Sequence, residues 1–434
     1  MSADLRVAGR IRDLSRADRR VLLERAIRPD DAIAQRVAAI IADVRARGDD
    51  VLRDLAFTLD GAKLESLEVP RERVQRALDR LAPDLRRALE RSRDNIAAVH
   101  RGFAPSCIEV EPEPGIVIGR RPDPLARVGV YAPGGRAAYP SSVLMGAVPA
   151  RVAGVPEVVL CSPPDASGNP SDAVLAAAAI ASVDRVFALG GAGAIAAMAL
   201  GTSSVPRVDR IVGPGNAYVS TAKTQLAGEV AIDSPAGPSE LLVIADGSVD
   251  ARSVALEIVG QAEHDPAACV VAVVIGSDEY AGAVCAEISA LAEAVPRGEI
   301  VRAALARQGA VLVATDDAEA ISFANDYAPE HLWAAVAAPG AMLACLRNAG
   351  TIFLGPEASV AYGDYMSGAN HVLPTGGAAR AYSGLSPLDF VRWTTYQRFT
   401  EAAARSLSDD VAIFALAEAL PGHAAAARRW RTVE

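Results

Sequence analysis

The sequence predicts an α/β protein of two similar lobes, each a mostly parallel sheet flanked by helices, with a small helical arm at the N-terminus and a helical extension at the C-terminus. Three observations carry this. From Val128 to Leu226, four strand-like apolar runs alternate with glycine turns and helical stretches. From Leu241 to Leu354, five further strands keep the same rhythm. The two chain ends lack the apolar residues for cores of their own. Strand, turn and helix in alternation mean a parallel sheet, because a parallel neighbour is reached only through a crossover. The shared rhythm points to a duplicated lobe, although no residue-by-residue repeat accompanies it.

The chain has 434 residues, more than one simple core organises. Its 43 basic and 53 acidic residues give a net charge of −10 with no basic block, which excludes a nucleic acid or another polyanion as partner. The uncharged run from Val186 to Pro206 is broken by Gly190-Gly191, Gly193 and Gly201, so it reads as a buried strand-turn-helix and not as a membrane span. Met1 to Arg20 holds no apolar segment of a secretory signal, and the five cysteines form no CxxC. They read as small buried thiols in a reducing cytoplasm.

In chain order, residues 1 to 25 form an arm that packs on another lobe or subunit. Ile33, Val37, Ile40, Ile41 and Val44 mark an amphipathic helix from Asp30 to Gly48, and a second helical stretch runs from Arg71 to His100 with a break near Pro83. Cys107 to Tyr131 alternates like a small β region. The first lobe then takes strands at Val128–Tyr131, Val158–Cys161, Arg185–Leu189 and Arg210–Val212, with the ligand edge at their carboxyl ends. The second takes Leu241–Ala245, Val270–Ile275, Ala310–Val313, Leu332–Val336 and Thr351–Leu354, separated by helices starting near Asp250, Asp278, Asp317 and Gly340. Beyond Pro374, aromatic residues lead into helices at Glu401–Leu420 and Ala424–Arg431, to be covered by a partner subunit.

Chemistry-bearing residues gather in a few breaks. A helix from Asp250 to His264, stopped by Asp265-Pro266, carries Gln261 and His264 three residues apart on one face. That pair is half of a metal site, or equally a cap or surface hydrogen bond. Of the five histidines, His100 ends a helix and reads as structural, whereas His264, His331, His371 and His423 sit in breaks beside acids or amides. Together with Glu330, Asp364 and Glu418 they offer the nitrogen and oxygen donors that zinc accepts, though without a short ligand spacing. Glu330-His331 at a helix-to-strand junction can act as an acid/base pair or can cap a turn. Asp364 and His371 share one loop and can reach a common ligand or form Asx turns.

Glycine loops are the other group. Gly134-Gly135 precedes Ser141-Ser142, whose hydroxyls could cap the next helix and leave its amides for an anion. Gly190 to Ala196 contains Gly-x-Gly-x-x-Ala between strand and helix, with Asp209 sixteen residues past Gly193. This is an incomplete Rossmann-like fingerprint, because it falls in the third unit of its sheet and Asp209 precedes the next strand. Gly213-Pro214-Gly215-Asn216 and Pro235-Ala236-Gly237-Pro238-Ser239-Glu240 are further strand-end loops. Four such loops on one sheet edge suit an extended phosphate-bearing ligand, and each alone is also an ordinary tight corner.

Taken in order, Val130-Tyr131-Ala132-Pro133-Gly134-Gly135, Tyr139-Pro140-Ser141-Ser142, Val208 to Asn216, Asp233 with Pro235 to Glu240, Gln261-Ala262-Glu263-His264, Pro329-Glu330-His331-Leu332 and Gly363 to Pro374 make the chain resemble the histidinol dehydrogenases from about residue 25 onward. The resemblance implies oxidation of L-histidinol to L-histidine through L-histidinal, with two NAD reduced and one zinc per subunit. It matches Gln261, His264, Asp364 and His423 to zinc ligands, with His423 supplied across an intertwined homodimer by C-terminal exchange. Glu330 and His331 match the catalytic acid/base pair. Ser239, His371 and Glu418 match substrate contacts, to which Gln261, His264, His331, Asp364 and His423 add. Tyr131 and Asn216 match cofactor contacts. Gly193 stands where the family usually has a cofactor-contacting Gln, which removes that side chain and implies weaker NAD binding. The division implied is an arm 1–25, a substrate and metal lobe from 26–129 and 240–380, a cofactor lobe 130–239, and an extension 381–434. Three competing readings remain: a related zinc and NAD dehydrogenase of another small polar alcohol, a zinc hydrolase using Glu330, and a nucleotide or sugar-phosphate binder without chemistry.

Overall fold

The structure, a computed structural model, describes residues 5–25, 30–134, 138–235 and 237–431. Gly135 and Ala236 of the predicted loops, and the first four residues of the predicted arm, lie outside them.

Two parallel sheets form the two lobes. In the first, the spatial order is Arg185–Ala188, Glu157–Ser162, Arg127–Tyr131, Arg210–Val212 and the short Ala231–Ile232. Its central strands are buried on both faces, as apolar runs such as Val158-Val159-Leu160 require, whereas the short edge strand Ala231–Ile232 is not. Helices Pro140–Val152, Asp172–Ile180, Gly191–Leu200 and Ala217–Leu226 cover it, and the helices between residues 31 and 102 add an outer layer on the same core. The sequence division put residues 26–129 with the other lobe. The apolar stripe Val37, Ile41 and Val44 is instead satisfied by the first lobe's helices.

The second sheet runs Val7–Arg10, Gly309–Ala314, Cys269–Ile275, Glu240–Ala245, His331–Ala335 and Thr351–Leu354, all parallel. The arm therefore packs as an edge strand against Gly309–Ala314. Ser15 caps its short helix Arg16–Leu23.

Several elements depart from the sequence reading. A helix, Asp49–Asp60, follows Gly48 at once, and another, Gly298–Gln308, precedes Gly309. The aromatic stretch near Trp393 is a strand, Val391–Phe399, paired antiparallel with Ile116–Pro124, which also pairs with Ile108–Glu113. Beyond it, helices Glu401–Ala417 and Pro421–Arg428 pack on each other around buried Ala412, Ala415 and Ala424 and a bond from Ser408 to the Ala427 carbonyl, and leave Ile413 and Phe414 65% and 70% exposed. Cys161 and Cys269 are buried thiols, but Cys107 and Cys345 are exposed in loops outside both cores, and Cys285 is half-buried on helix Asp278–Ala294 at the margin of the second core. Among the described residues, no helix is long and apolar enough to cross a membrane.

Candidate active site

The site is built at the amino ends of the second sheet's strands. Helix Asp317–Tyr327 ends at Ala328 in the left-handed region, and Pro329 forbids a further turn, so Glu330 and His331 are delivered to the mouth of strand His331–Ala335. Both are buried, 7% and 4% exposed. In register, His331 lies between Leu241 and Thr351 of the flanking strands.

A backbone carbonyl can only accept, so the 3.0 Å contact from His331 Nδ1 to the Glu240 carbonyl oxygen puts the proton on Nδ1. Nε2 then faces Asp364, 3.5 Å from its Oδ1. Glu330 Oε2 accepts from the Glu240 amide at 2.7 Å and lies 3.5 Å from His331 Nδ1. The carbonyl of Asp364 accepts from His371 Nδ1 at 3.0 Å. A recess between these groups is lined by His331, Thr351, Phe353, Asp364, Asn370 and His371.

Electrostatics tie the set together. Burial raises the Glu330 carboxyl, with His331 opposing. Burial alone would depress His331, but the charge of Glu330 and the contact with Asp364 raise it overall. Burial also acts to raise Asp364, yet His331, then His371 and His264, hold it below the usual carboxylate range. Burial depresses His371. His264 is thus close enough to be felt by both Asp364 and His371, although it is exposed.

Gln261 lies on the last turn of helix Ala251–Ala262, and its carbonyl accepts from the His264 amide at 3.3 Å. The helix stops two residues before His264. Gln261 is 3% exposed, and its Nε2 has no partner among the described residues. A buried amide left unpaired costs about 1–3 kcal/mol. It is a buried N–H donor open to an acceptor, and the oxygen of such an amide, an imidazole and a carboxylate are the groups that suit zinc. Helix C-termini also favour cations.

Ser239 is half-buried directly before Glu240, and its carbonyl is taken by the Cys269 amide. Glu418 and His423 lie elsewhere, both exposed, on the C-terminal helix pair. His423 stands in the first turn of Pro421–Arg428 and not in a break. Among the described residues, no three His, Cys, Asp or Glu side chains converge as a metal site would need. The His264 amide bonds the Gln261 carbonyl and His264 lies near enough to Asp364 to hold its carboxyl down, whereas His423 lies on the separate C-terminal helix pair.

The glycine loops stand at the carboxyl ends of the first sheet. Tyr131, the last residue of its strand and 2% exposed, accepts a hydrogen bond from the Gly191 amide at 3.0 Å. Gly213 has φ 118°, and a side chain there would collide with the Tyr131 carbonyl. The Asn216 side-chain oxygen caps helix Ala217–Leu226 through the amides of Tyr218 and Val219. Gly193 lies beneath helix Asp49–Asp60, where an added Cβ would come within 2.9 Å of Leu55. Its lack of a side chain admits that helix. Asp209 binds the amides of Ala126 and Arg127 at the far end of the strands, so it is no ribose ligand. Pro140 takes the first position of its helix, so Ser141 and Ser142 lie inside it and cap nothing.

Sequence reasoning missed two buried ion pairs. Lys223 pairs with Asp233, and together they hold both sides of the Gly213 peptide: Lys223 Nζ donates to its carbonyl and its amide donates to Asp233. Arg25 pairs with Glu240 behind the Glu330–His331 pair. The available signal was an acid or a lysine set in an otherwise apolar run, as in Glu240-Leu241-Leu242-Val243.

The family model described as histidinol dehydrogenase matches residues 23–431. A histidinol dehydrogenase of Methanosarcina barkeri is 44% identical over 420 residues, covering 96% of each chain. One from Pseudomonas syringae pv. tomato is 45% identical over 402 residues, covering 92% of this chain and 89% of the relative. The crystal structure of histidinol dehydrogenase from Elizabethkingia anophelis superposes with a TM-score of 0.93 at 31% identity, covering 99% of this chain and 98% of that one. With matches that span almost its whole length, the chain belongs to the histidinol dehydrogenase family of oxidoreductases.

Proposed function

We propose that the protein oxidises L-histidinol to L-histidine through L-histidinal in histidine biosynthesis, reducing two NAD and using one zinc ion per subunit. The observation that carries this reading is the meeting of Glu330, His331, Asp364, His371 and His264 at one sheet edge, with the Gln261 carbonyl bonded to the His264 amide.

In the first oxidation, hydride leaves the alcohol carbon for NAD and the hydroxyl proton passes to Nε2 of His331. The Glu240 carbonyl keeps Nδ1 protonated, so Nε2 is the nitrogen that exchanges a proton, and because Glu330 and Asp364 raise His331 the ring must first lose its Nε2 proton to act as the base. In the second, Glu330 takes a proton from water as it adds to the aldehyde, and the hydrated carbon gives up another hydride. Burial lifts Glu330 toward the range where a carboxylate is an effective base near neutral pH. Gln261, His264 and Asp364 would hold zinc, with His423 completing the set from a second subunit. Bound there, the ion supplies open positions for the substrate's imidazole and amino nitrogens. Ser239, His371 and Glu418 would contact the substrate, and Tyr131, Gly193 and Asn216 line the cofactor's approach.

The bare apolar face of the C-terminal helices supports a homodimer in which this extension is exchanged. Ile413, Phe414 and Leu420 find no cover among the described residues, while Glu418 and His423 ride on the same helices. The test is the amount of NADH formed per L-histidinol, before and after chelation. Two per substrate, lost with the chelator and restored by zinc, is the expected result. Turnover of an ester or amide without NAD would replace this reading with the hydrolase one.

A further inference from the structure

Glu240 holds the Glu330–His331 pair from behind at three points and ties the Gly376 backbone to the same carboxylate. Its amide donates to Glu330 Oε2 at 2.7 Å and its carbonyl accepts from His331 Nδ1 at 3.0 Å. Its carboxylate accepts from the Glu330 amide at 3.3 Å and from the Gly376 amide at 2.9 Å. Glu240 is only 2% exposed, so this carboxylate lies beside Glu330 with almost no solvent to screen it. Uncompensated, it would repel Glu330 or take up a proton and lose the acceptor geometry.

Arg25 supplies the compensation from 215 residues away. Its Nε and Nη2 reach the two carboxylate oxygens of Glu240 at 3.0 Å each, a two-pronged pairing. Nη2 also donates to the carbonyl of Tyr327 at 2.9 Å, and the guanidinium lies 3.4 Å over the Tyr327 ring. Tyr327 ends the helix that leads through Pro329 into Glu330. One guanidinium thus fixes both pieces of backbone that set the pair: the start of strand Glu240–Ala245 and the end of helix Asp317–Tyr327. Arg25 stands at the end of the arm, which the edge strand Val7–Arg10 and the bond from Arg25 Nη1 to the Leu22 carbonyl hold in place.

We infer that Arg25 and Glu240 are positioning residues for the Glu330–His331 pair, and that the N-terminal arm is part of the catalytic scaffold. This rests on the reading of Glu330 and His331 as the acid/base pair, so the test carries His331→Asn as a parallel arm.

Arg25→Lys is the main variant, because it keeps the counter-charge and the fold but replaces the fork with a point charge. Its kcat for L-histidinol should fall by roughly 10- to 100-fold, the scale for a small misplacement of reacting groups, with KM for NAD unchanged. Guanidinium ion at sub-denaturing concentration should restore part of the kcat lost in Arg25→Ala, and sodium chloride at equal ionic strength should not. Glu240→Gln should lower kcat likewise. Wild-type kcat in folded Arg25→Lys, or folded Arg25→Ala that guanidinium leaves unchanged, overturns the inference. If His331→Asn loses turnover while Arg25→Lys keeps it, only the arm's role is lost. If both keep it, the catalytic assignment goes as well.

Discussion

The two lobes present opposite edges of similar parallel sheets, and the edges have different chemistry. At the carboxyl edge of the first sheet, Tyr131, Gly191, Gly213 and Asn216 offer mainly backbone amides and the start of helices, with one buried ion pair, Lys223–Asp233, holding a loop. At the amino edge of the second, Glu240, Glu330, His331 and Asp364 crowd buried charge around the ends of helices. Helix N-termini suit the phosphates of a cofactor, whereas helix C-termini suit a cation and the side chains that bind it. The candidate groups therefore stand at carboxyl strand ends in one lobe and at amino strand ends in the other.

The sharpest way to break this contrast is to change one residue at each edge. His331→Asn is expected to slow both oxidations by about 10²- to 10⁴-fold, the usual worth of a general base. Asn216→Ala should raise KM for NAD several-fold, with kcat nearly intact. Steady-state kinetics in both substrates would read this, and equal losses of kcat at the two sites would erase the distinction.

Next in size is the ion pair. Lys223 and Asp233 side chains are 3% and 7% exposed, so Lys223→Met leaves a buried carboxylate unpaired at a cost of about 3–5 kcal/mol. Denaturant melts should report that loss, and KM for NAD should rise because the Gly213 loop is released. An unchanged melt would mean the pair carries no stability.

A pH series gives the background for both edges. His100, 1% exposed and with neither ring nitrogen partnered among the described residues, is pushed down by burial to about 4. Its neutral form is favoured in the fold, so its contribution is complete above the unfolded value near 6.5 and lost as pH falls toward 4. The loss is on the order of 3 kcal/mol at most, and His100→Phe should flatten the slope of stability over that window. An unaltered slope in the variant assigns the acid sensitivity to another group.

The smallest effect concerns Gly193. Gly193→Gln should cost about 1–3 kcal/mol, because its Cβ meets Leu55, and pairing it with Leu55→Ala should recover most of that. If the single change is neutral, helix Asp49–Asp60 is free to move and this glycine has another reason.

Much of this was legible from the sequence, and the failures have physical causes. The βα rhythm gave both sheets, since a strand buried on two faces must be an apolar run. Gly48 read as an end and hid the helix that starts at Asp49, because one glycine serves as the last residue of one helix and the entry to the next. Val391–Phe399 is rich in aromatic and β-branched residues and carried a strand signal that was passed over. In the candidate site, Glu330, His331, Asp364, His371, Gln261 and His264 could be named from their motifs. Arg25 and Glu240 could not be paired, because nothing local in a sequence records a contact across 215 residues.

The most direct test of the two-residue division of labour is a single turnover of Glu330→Gln with L-histidinol, followed by NADH absorbance. The expected trace is one rapid equivalent of NADH per site, then a stall at the aldehyde, with L-histidinal oxidised slowly when supplied directly. Two equivalents at the wild-type rate would contradict the role given to Glu330.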